Sequence, residues 1–312
     1  STADDNGINI VDSVSPRIGT WKRLIGDHVS IKMYGAIGDF ATDNYAAITA
    51  AIAGARARDA ILFLNAGDYL ISDTLRFHHD SIVIGEGAKV TTFYPHASFP
   101  FGPDKFLIED ILNPGEPRPD ADFYCVRRDF GARNPDPVQV GCYWSRPGGG
   151  SEYSNIYLSD AYLEDNLRVS AVTQGVPVAC NFNNIWLATN RGAGNSRAKN
   201  GLRAINCYSV AFNNLIVDYQ SNETDYVVTD TDGHGINLSG CVGVTFNTLN
   251  AEGNAKPYYA TNSQGTTFNG GAMYRTGLGS APSTDPDFAF EVDSVKANMP
   301  TVINMFVGQG YA

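Results

Sequence analysis

Short segments of similar sequence recur through the second half of the chain and restrict the folds that it can adopt. Each has an aromatic anchor inside a strand-like pattern: EYSNIYL at Tyr153, NFNNIWL at Phe182, AFNNLIV at Phe212, VTFNTLN at Phe246 and TTFNGGA at Phe268. The anchors are 29, 30, 34 and 22 residues apart. A β pattern with a period of roughly 20 to 35 residues is typical of a parallel β-helix, in which one coil cannot bury its apolar face alone. We therefore predict an all-β solenoid of this kind.

The repeat also predicts which side chains stack on one another. The inward Phe and Ile or Leu of one coil would pack on their equivalents about 4.8 Å away, on the next coil. Asn183, Asn213 and Asn247 each follow an anchor directly. We expect these three amides to form a ladder at a bend of the chain.

The N-terminal third contains one strand pattern and one helix pattern. The strand HVSIKMYGAIGD ends in glycines and is followed by TDNYAAITAAIAGARAR. Thr42 or Asp43 is the expected N-cap, and Ile48 and Ile52, four residues apart, give an amphipathic helix of about three turns. AILFLNAGDYLIS and SIVIGEG then read as short strands broken by glycine turns.

The composition changes along the chain and suggests its organisation. Residues 1–28 are polar and rich in turn residues, so we read them as a lead-in segment to a β-helix domain at 29–312. Nine of the 15 prolines fall between Pro95 and Pro147. Because proline cannot donate to a sheet ladder, residues 95–150 are expected to be a loop excursion with few strands.

Charge and cysteine usage exclude several classes of partner. The formal net charge is −11 and no dense Lys/Arg run offsets it, which disfavours nucleic acid. Five cysteines, without a CxxC pair, predict neither a disulfide framework nor a zinc site. No apolar run approaches the length of a membrane span, so we expect no membrane insertion. The chain is expected to be made in a reducing cytoplasm. Neutral or polyhydroxylated ligands such as carbohydrate remain compatible with this composition.

The first hundred residues resemble a known family. The strand, YGAIGDFATDNYAAITAAI, LFLNAGDYLIS and IGEG together are similar to the pectate-lyase-3-type right-handed parallel β-helix family, and most of all to its bacteriophage tailspikes. The match covers about residues 29–95. It departs from the family pattern at Phe40, where glycine is usual, at Asn44 for an acid and at Asn65 for a proline.

The resemblance carries expectations about structure and partners. The helix would cap the N-terminal end of a right-handed, single-stranded β-helix, with Ile48 and Ile52 on the first rung. Asp39 and Asp43 would then be turn and cap residues rather than catalysts. Tailspike-like proteins imply a homotrimer attached to phage tail or baseplate proteins in the virion, which binds a bacterial surface polysaccharide such as O-antigen or capsule as its receptor and cleaves it.

Hydrolysis of a glycosidic bond normally needs two carboxylates. Counted from the anchors, Asp218 lies six residues after Phe212, and Glu252 lies six residues after Phe246. We therefore predict that Asp218 and Glu252 are a catalytic pair on one face of adjacent rungs. The alternative is that both are solvated strand-end residues or a structural acid pair.

A second acidic group lies in the longest interval between anchors. Asp230 and Asp232 precede His234 in TDTDGHG, which is faintly similar to elements of polygalacturonase-type glycosidases. Either acid is a further catalytic candidate, because neighbouring like charges favour a protonated carboxyl. The chain has no Asp-x-Asp-x-Asp-Gly loop for calcium, and we expect neither a metal nor a cofactor.

Aromatic and basic residues near these acids are candidates for substrate binding. The predicted substrate-binding residues are Trp186, Tyr219, His234, Tyr274 and Arg275. The function expected from the sequence is an endoglycosidase acting as a polysaccharide depolymerase. A polysaccharide-binding or structural tail protein without catalysis and a secreted polysaccharide lyase are the alternatives.

Overall fold

The computed structural model describes most of the repeat region and the N-terminal cap. The described residues are 9–11, 20–22, 27–111, 124–136, 138–170, 179–188, 198–218, 234–252, 256–274, 290–294, 302–304 and 307–309.

The described elements are almost all strands. The N-terminal elements are β1 (Asn9–Val11), β2 (Thr20–Lys22), β3 (His28–Ser30), a 3-10 helix (Ile31–Tyr34), β4 (Asp39–Asp43), α1 (Tyr45–Arg56), β5 (Ile61–Leu64), β6 (Gly67–Ile71), β7 (Leu75–His78), β8 (Ile82–Gly85) and β9 (Thr91–Pro95). The following strands are β10 (Phe106–Ile111), β11 (Val126–Arg133), β12 (Gly141–Ser145), β13 (Glu152–Ser159), β14 (Asp165–Ser170), β15 (Asn181–Ala188), β16 (Asn200–Ile205) and β17 (Ala211–Asp218). The last strands are β18 (His234–Ser239), β19 (Thr245–Glu252), β20 (Lys256–Thr261), β21 (Thr267–Tyr274), β22 (Phe290–Ser294), β23 (Val302–Asn304) and β24 (Val307–Gln309).

Two long parallel sheets run the length of the described chain. One has the order β22-β20-β18-β16-β14-β12-β10-β7, and the larger one runs from β23 through β21, β19, β17, β15, β13, β11, β8 and β5 to β3. Consecutive strands such as β15 and β16 lie in different sheets, so each coil contributes one strand to each sheet before it passes to the next coil. The predicted parallel β-helix is confirmed.

Helix α1 covers the N-terminal end of this solenoid. Ile48, Ala51 and Ala55 are buried, and the helix packs against β3, β5 and β7 of the first coils. Ile52 is partly buried and also packs on the core. The predicted capping helix is therefore confirmed, and it shields apolar side chains that the end of a sheet would expose. No helix in the described part of the chain has the length and hydropathy needed to span a bilayer.

The start of α1 differs from the sequence prediction by one or two residues. The N-cap position is held by Asn44, not by Thr42 or Asp43. The Asn44 side chain accepts a hydrogen bond from the Ile37 backbone N–H at 2.6 Å and is thereby committed to the preceding loop. The Asp43 carboxylate instead accepts the Tyr45 N–H at 3.0 Å and the Ser72 N–H at 3.1 Å, so it ties the helix start to the first coil.

Asp39 holds the turn before the helix. Its carboxylate accepts hydrogen bonds from the backbone N–H groups of Ala41 (3.0 Å) and Thr42 (2.8 Å) and from the Thr42 hydroxyl (2.8 Å). The backbone N–H of Thr42 is the main reason that the pKa of Asp39 is lowered. Asp39 thus has the bonds expected of a turn residue.

The proline-rich segment contributes regular structure to both sheets. Within 95–150, β10 and β12 pair with each other in the smaller sheet and β11 pairs with β13 in the larger one. Three strands in this segment therefore continue the coil pattern through a region that was expected to be mainly loop. Proline does not occur within β10, β11 or β12, as its missing backbone donor requires.

The aromatic anchors form one continuous stack inside the solenoid. Tyr153, Phe182, Phe212, Phe246 and Phe268 are paired in register between neighbouring coils. Consecutive ring centroids are 4.4, 4.9, 5.3 and 5.0 Å apart, and the ring planes are within 21° of parallel. The predicted stacking is confirmed.

All five cysteines are free thiols within the core. Cys180, Cys207 and Cys241 are buried on successive coils, and the Cys241 thiol donates to the Ala204 carbonyl at 3.3 Å. Burial raises the pKa of Cys180 to about 12, so its thiol stays protonated. These residues act as small apolar core side chains.

A charged cluster is also buried in the core, among the N-terminal coils of the solenoid. Asp110 and Arg127 are fully buried and form an ion pair with an Nε to Oδ1 distance of 3.0 Å. The Asp110 carboxylate also accepts hydrogen bonds from the hydroxyls of Tyr143 and Tyr153, both at 2.9 Å. Arg127 donates to the carbonyls of Ser81 and His78. Every charge in this cluster is therefore paired within the protein.

Asparagine ladders mark the bend in each long strand. Asn213 donates to Asn183 at 2.7 Å, Asn247 donates to Asn213 at 2.7 Å, and Asn269 donates to Asn247 at 2.8 Å. The predicted ladder is thus confirmed and extends one coil further. A second ladder lies one residue later, where Asn214 donates to Asn184 at 2.9 Å and Asn184 donates to Asn155 at 3.1 Å.

The second ladder explains the bend itself. Asn155, Asn184 and Asn214 all have left-handed backbone conformations, with φ between 52° and 56°. Asparagine tolerates this conformation better than most residues because its short amide bonds locally. On the next coil the same position is Thr248, a β-branched residue with φ of 60°, which is strained there.

Replacing Thr248 with asparagine should stabilise the protein. We expect Thr248→Asn to raise the free energy of unfolding by about 1 kcal/mol, because it removes the β-branched side chain from a left-handed position and the new amide can donate to Asn214. Urea unfolding measures the effect. Thr245→Asn, on the same strand but without a positive φ, is the control and should give no gain. A Thr248→Asn variant less stable than the wild type would contradict the ladder interpretation.

Candidate functional site

Beyond its bend, the larger sheet carries two rows of residues that are in register between coils, and of the second row Ser159 and Ala188 are buried. The first row contains Tyr157, Trp186, Ile216 and Asn250, in register on β13, β15, β17 and β19. The second row contains Arg133, Ser159, Ala188, Asp218, Glu252 and Tyr274, in register on β11 to β21. These two rows are called the lateral face below. They alternate with the buried Leu158, Leu187, Val217 and Ala251, as the period of two in a strand requires.

Trp186 is the most prominent aromatic residue of the lateral face. It is 37% exposed, although its strand neighbours Ile185 and Leu187 are buried. Its ring packs edge-on against Tyr157 of the previous coil, at a centroid distance of 5.3 Å. The Lys89 ammonium lies 3.5 Å from the Trp186 ring centroid and 4.5 Å from that of Tyr157. Lys89 is exposed, and its ammonium group lies over the Trp186 ring in a cation–π contact that leaves the ring partly open to solvent.

Trp186 is linked directly to the first predicted catalytic acid. Its indole Nε1–H donates a hydrogen bond to Asp218 Oδ2 at 3.1 Å across neighbouring coils. An indole N–H can only donate, so it holds this oxygen of Asp218 as an acceptor. The position of Asp218 is thereby fixed relative to the ring.

Asp218 and Glu252 lie opposite each other on adjacent strands, as the anchor spacing predicts. The spacing of adjacent strands, about 4.8 Å, is close to the separation of about 5 to 5.5 Å between the two carboxyl groups of retaining glycosidases. The structure describes the backbone of Glu252 but not its side chain. The register is therefore confirmed, and the catalytic role of the pair stays a prediction.

An ion pair lies at the end of the lateral face that the earlier coils form. Arg133 Nε lies 2.8 Å from Asp160 Oδ2, and the Ser159 hydroxyl donates to the same oxygen at 3.0 Å. Asp160 is fully buried, whereas Arg133 is partly exposed. This corner therefore presents a guanidinium and not a second carboxylate to solvent.

His234 lies away from this site. It begins β18 in the smaller sheet, is fully buried and stacks on Tyr259 with a centroid distance of 4.8 Å. A side chain without exposed surface cannot contact a glycan in this conformation. The structure does not bring it together with Asp218 or Trp186.

For the remaining predicted site residues, the structure describes at most the backbone. Asp230, Asp232, Tyr219 and Arg275 lie outside the described residues. For Tyr274 the backbone is described, and it pairs with Glu252 on the neighbouring strand. Their roles stay predictions.

Tyr157 and Lys89, which contact the Trp186 ring, were not among the predicted residues. Tyr157 could have been found from the repeat, because EYSNIYL and NFNNIWL place Tyr157 and Trp186 at the same offset from their anchors. Lys89 gives no such signal, since it follows the Gly-Glu-Gly turn almost a hundred residues before Trp186. Only the stacking of the coils brings it to the ring.

The chemistry available at the lateral face is that of carboxylates, an indole and an amine. Among the described residues, no group of three or more His, Cys, Asp or Glu side chains is arranged to hold a metal ion. Aromatic surface flanked by carboxylates and cations is suited to binding sugars, whose C–H faces stack on rings and whose hydroxyls bond to charged groups.

Comparison with known proteins agrees with the N-terminal sequence pattern. Residues 28–118 match the sequence profile of the rhamnogalacturonase A/epimerase, pectate lyase-like family. No curated protein matches the sequence.

Solved structures with a similar fold are found at low sequence identity. Tailspike protein 2 from Escherichia coli O157:H7 bacteriophage CAB120 has a TM-score of 0.66 and 15% identity, with 98% of this chain and 41% of that one covered. The phiAB6 tailspike, solved with oligosaccharides of Acinetobacter baumannii surface polysaccharide, has a TM-score of 0.60 and 16% identity, with 90% and 47% covered. Gene product 12 of bacteriophage phi29 has a TM-score of 0.57 and 14% identity, with 89% and 41% covered.

This chain therefore spans less than half the length of each of these structures. At such low identity the likeness concerns the fold. The predicted resemblance is confirmed at that level: residues 28–118 carry the pectate lyase-like family pattern, and the chain has the parallel β-helix fold of bacteriophage tailspike proteins.

Proposed function

We propose that the chain binds a bacterial surface polysaccharide along the lateral face and cleaves it by hydrolysis of a glycosidic bond. The observation that carries the proposal is the hydrogen bond from Trp186 to Asp218, which joins an exposed aromatic ring to a carboxylate on the next coil. A ring that stacks on one sugar would thereby place the neighbouring glycosidic bond beside Asp218. The fold shared with tailspikes supports the class of substrate.

The two acids would take different parts in the reaction. The Trp186 indole donor favours Asp218 as an ionised acceptor, which suits the nucleophile of a retaining mechanism. Glu252 would protonate the leaving glycosidic oxygen and then, as a carboxylate, deprotonate the water that releases the sugar from Asp218. Each proton given by Glu252 in the first step is regained in the second.

The oligomeric state of the chain and its attachment in the virion are also part of the proposal. We propose that the chain works as a homotrimer attached to phage tail or baseplate proteins in the virion. The tailspike structures that share its fold support this assignment. Light scattering of the purified chain should give three times the mass of one chain.

A product assay tests the proposed activity. The wild-type protein is incubated with purified bacterial surface polysaccharides, beginning with those of Escherichia coli O157:H7 and Acinetobacter baumannii and extending to a panel of O-antigens and capsules. We expect the size of one polysaccharide to fall while new reducing ends appear. An ultraviolet-absorbing unsaturated product would show a lyase, and binding without any change in size would show a non-catalytic receptor-binding protein.

A further inference from the structure

Phe40 has an unusual conformation for an aromatic residue. Its φ is 55°, in the left-handed region, and its side chain is 50% exposed. A left-handed backbone costs a non-glycine residue about 1 to 2 kcal/mol, and burial of the ring recovers little of that cost at this exposure. Strained residues persist where the surrounding structure holds them, and they concentrate at functional sites.

The exposed ring of Phe40 packs against the partly buried ring of Tyr94. The two centroids are 4.8 Å apart and the planes are nearly perpendicular at 82°. Burial raises the pKa of Tyr94, and the charges of Asp68 and Arg133 nearby raise and lower it respectively, so charged groups of both signs lie close to the pair. An aromatic surface with a carboxylate and a cation nearby is similar to the arrangement around Trp186, where the cation is the Lys89 ammonium.

The pair lies on the line of the lateral face. Thr92 and Phe93 pair with Gly131 and Ala132, so the same register places Tyr94 opposite Arg133, at the head of the second row. Four strand spacings then separate Tyr94 from Asp218, a distance of about 19 Å along the axis. Since one spacing is comparable with the length of one sugar unit, a glycan of about five units parallel to the axis would reach both.

We propose that Phe40 and Tyr94 form a distal glycan-stacking subsite that holds the same polysaccharide chain about four coils from Asp218. The subsite gives the protein a preference for long chains over short oligosaccharides. This inference rests on the proposed function, because it assigns one more contact to the glycan on the lateral face. Phe40 takes up its strained conformation to present its ring to that glycan.

The Phe40→Gly variant separates this role from a structural one. Glycine adopts a left-handed conformation without strain, so the melting temperature should rise by about 2 °C or stay unchanged. The ligands are size-fractionated oligosaccharides of the polysaccharide that the wild type binds in the panel, titrated calorimetrically in an Asp218→Asn background. We expect the affinity for oligosaccharides long enough to span both positions to fall about tenfold, and the loss to shrink for shorter ones.

The control is Ile37→Ala, which removes an apolar side chain that is 52% exposed near the same end of the solenoid, and which should leave the affinities unchanged. Equal affinity of Phe40→Gly and wild type at every length, a loss independent of length, or a drop in melting temperature of several degrees would each overturn the inference. So would a change in oligomeric state, which would assign the pair to a protein interface. If the wild type binds no polysaccharide, the proposed function fails as well.

Discussion

We expect the Asp218→Asn variant to cleave the polysaccharide about 10²- to 10⁴-fold more slowly than the wild type, the range over which a positioned catalytic acid or base acts. Asparagine has the shape of aspartate and keeps an oxygen that can accept the Trp186 indole hydrogen bond. Fold and polysaccharide binding should therefore be retained while the negative charge of the attacking carboxylate is lost. Reducing-end release under saturating polysaccharide measures the effect.

A second acid variant and a neutral control sharpen this test. Glu252→Gln should cause a loss of similar size, and the double variant should be little slower than either single one, because residues that act in one mechanism are not additive. Asp59→Asn changes an exposed acid at the end of α1, at a left-handed position that asparagine also tolerates, and should keep full activity. Full activity in Asp218→Asn would show that the reaction takes place elsewhere.

The second large effect concerns the buried ion pair. We expect Arg127→Met to lower the free energy of unfolding by about 3 to 5 kcal/mol, since it leaves the Asp110 carboxylate buried without its cation. The two tyrosine hydroxyls that donate to Asp110 compensate only part of this charge. Urea unfolding followed by circular dichroism measures the change, and the melting temperature should fall by roughly 10 °C.

Arg76→Met is the matched control, because Arg76 is 43% exposed, its Nε lies 3.8 Å from Glu109 Oε2, and Glu109 keeps a closer partner in Arg146 at 2.7 Å. Its removal should change stability by less than about 1 kcal/mol. Adding Asp110→Asn to Arg127→Met should restore part of the lost stability by removing the stranded charge. Equal effects of Arg127→Met and Arg76→Met would mean that the buried cluster is not stabilised by its charge pairing.

The sequence repeat predicted the features that depend on the coil period. Five aromatic anchors were enough to place Phe182 on Phe212, Asn183 beside Asn213 and Asp218 opposite Glu252, because every coil of a β-helix stacks in one register. The helix at the N-terminal end was equally accessible, since its apolar residues recur with the period of an α-helix. Its first residue was not, because the cap depends on hydrogen bonds that the side chains of Asn44 and Asp43 accept from the backbone N–H groups of Ile37 and Ser72.

Contacts between coils of different length could not be predicted in the same way. Lys89 reaches Trp186 from a turn, and no periodicity relates these two residues. His234 illustrates the converse case, since it was predicted to bind substrate whereas the strand β18 buries it. The burial of Asp110 and Arg127 could likewise not be predicted from the sequence. Strand alternation identifies an inward position, but it does not identify the partner that neutralises a charge there.

The asparagine ladders have a consequence for how such a protein can change in length. Each amide donates towards the preceding coil and accepts from the following one, so every coil offers its neighbours the same connection. Excision or duplication of the stretch between two equivalent positions, such as Asn181 and Ala211, would join a matching donor to a matching acceptor. Insertions and deletions of whole coils should therefore be tolerated where a shift of one residue is not. The natural unit of variation in this architecture is a full turn of about thirty residues, and a glycan-binding face can be lengthened or shortened in steps of one rung.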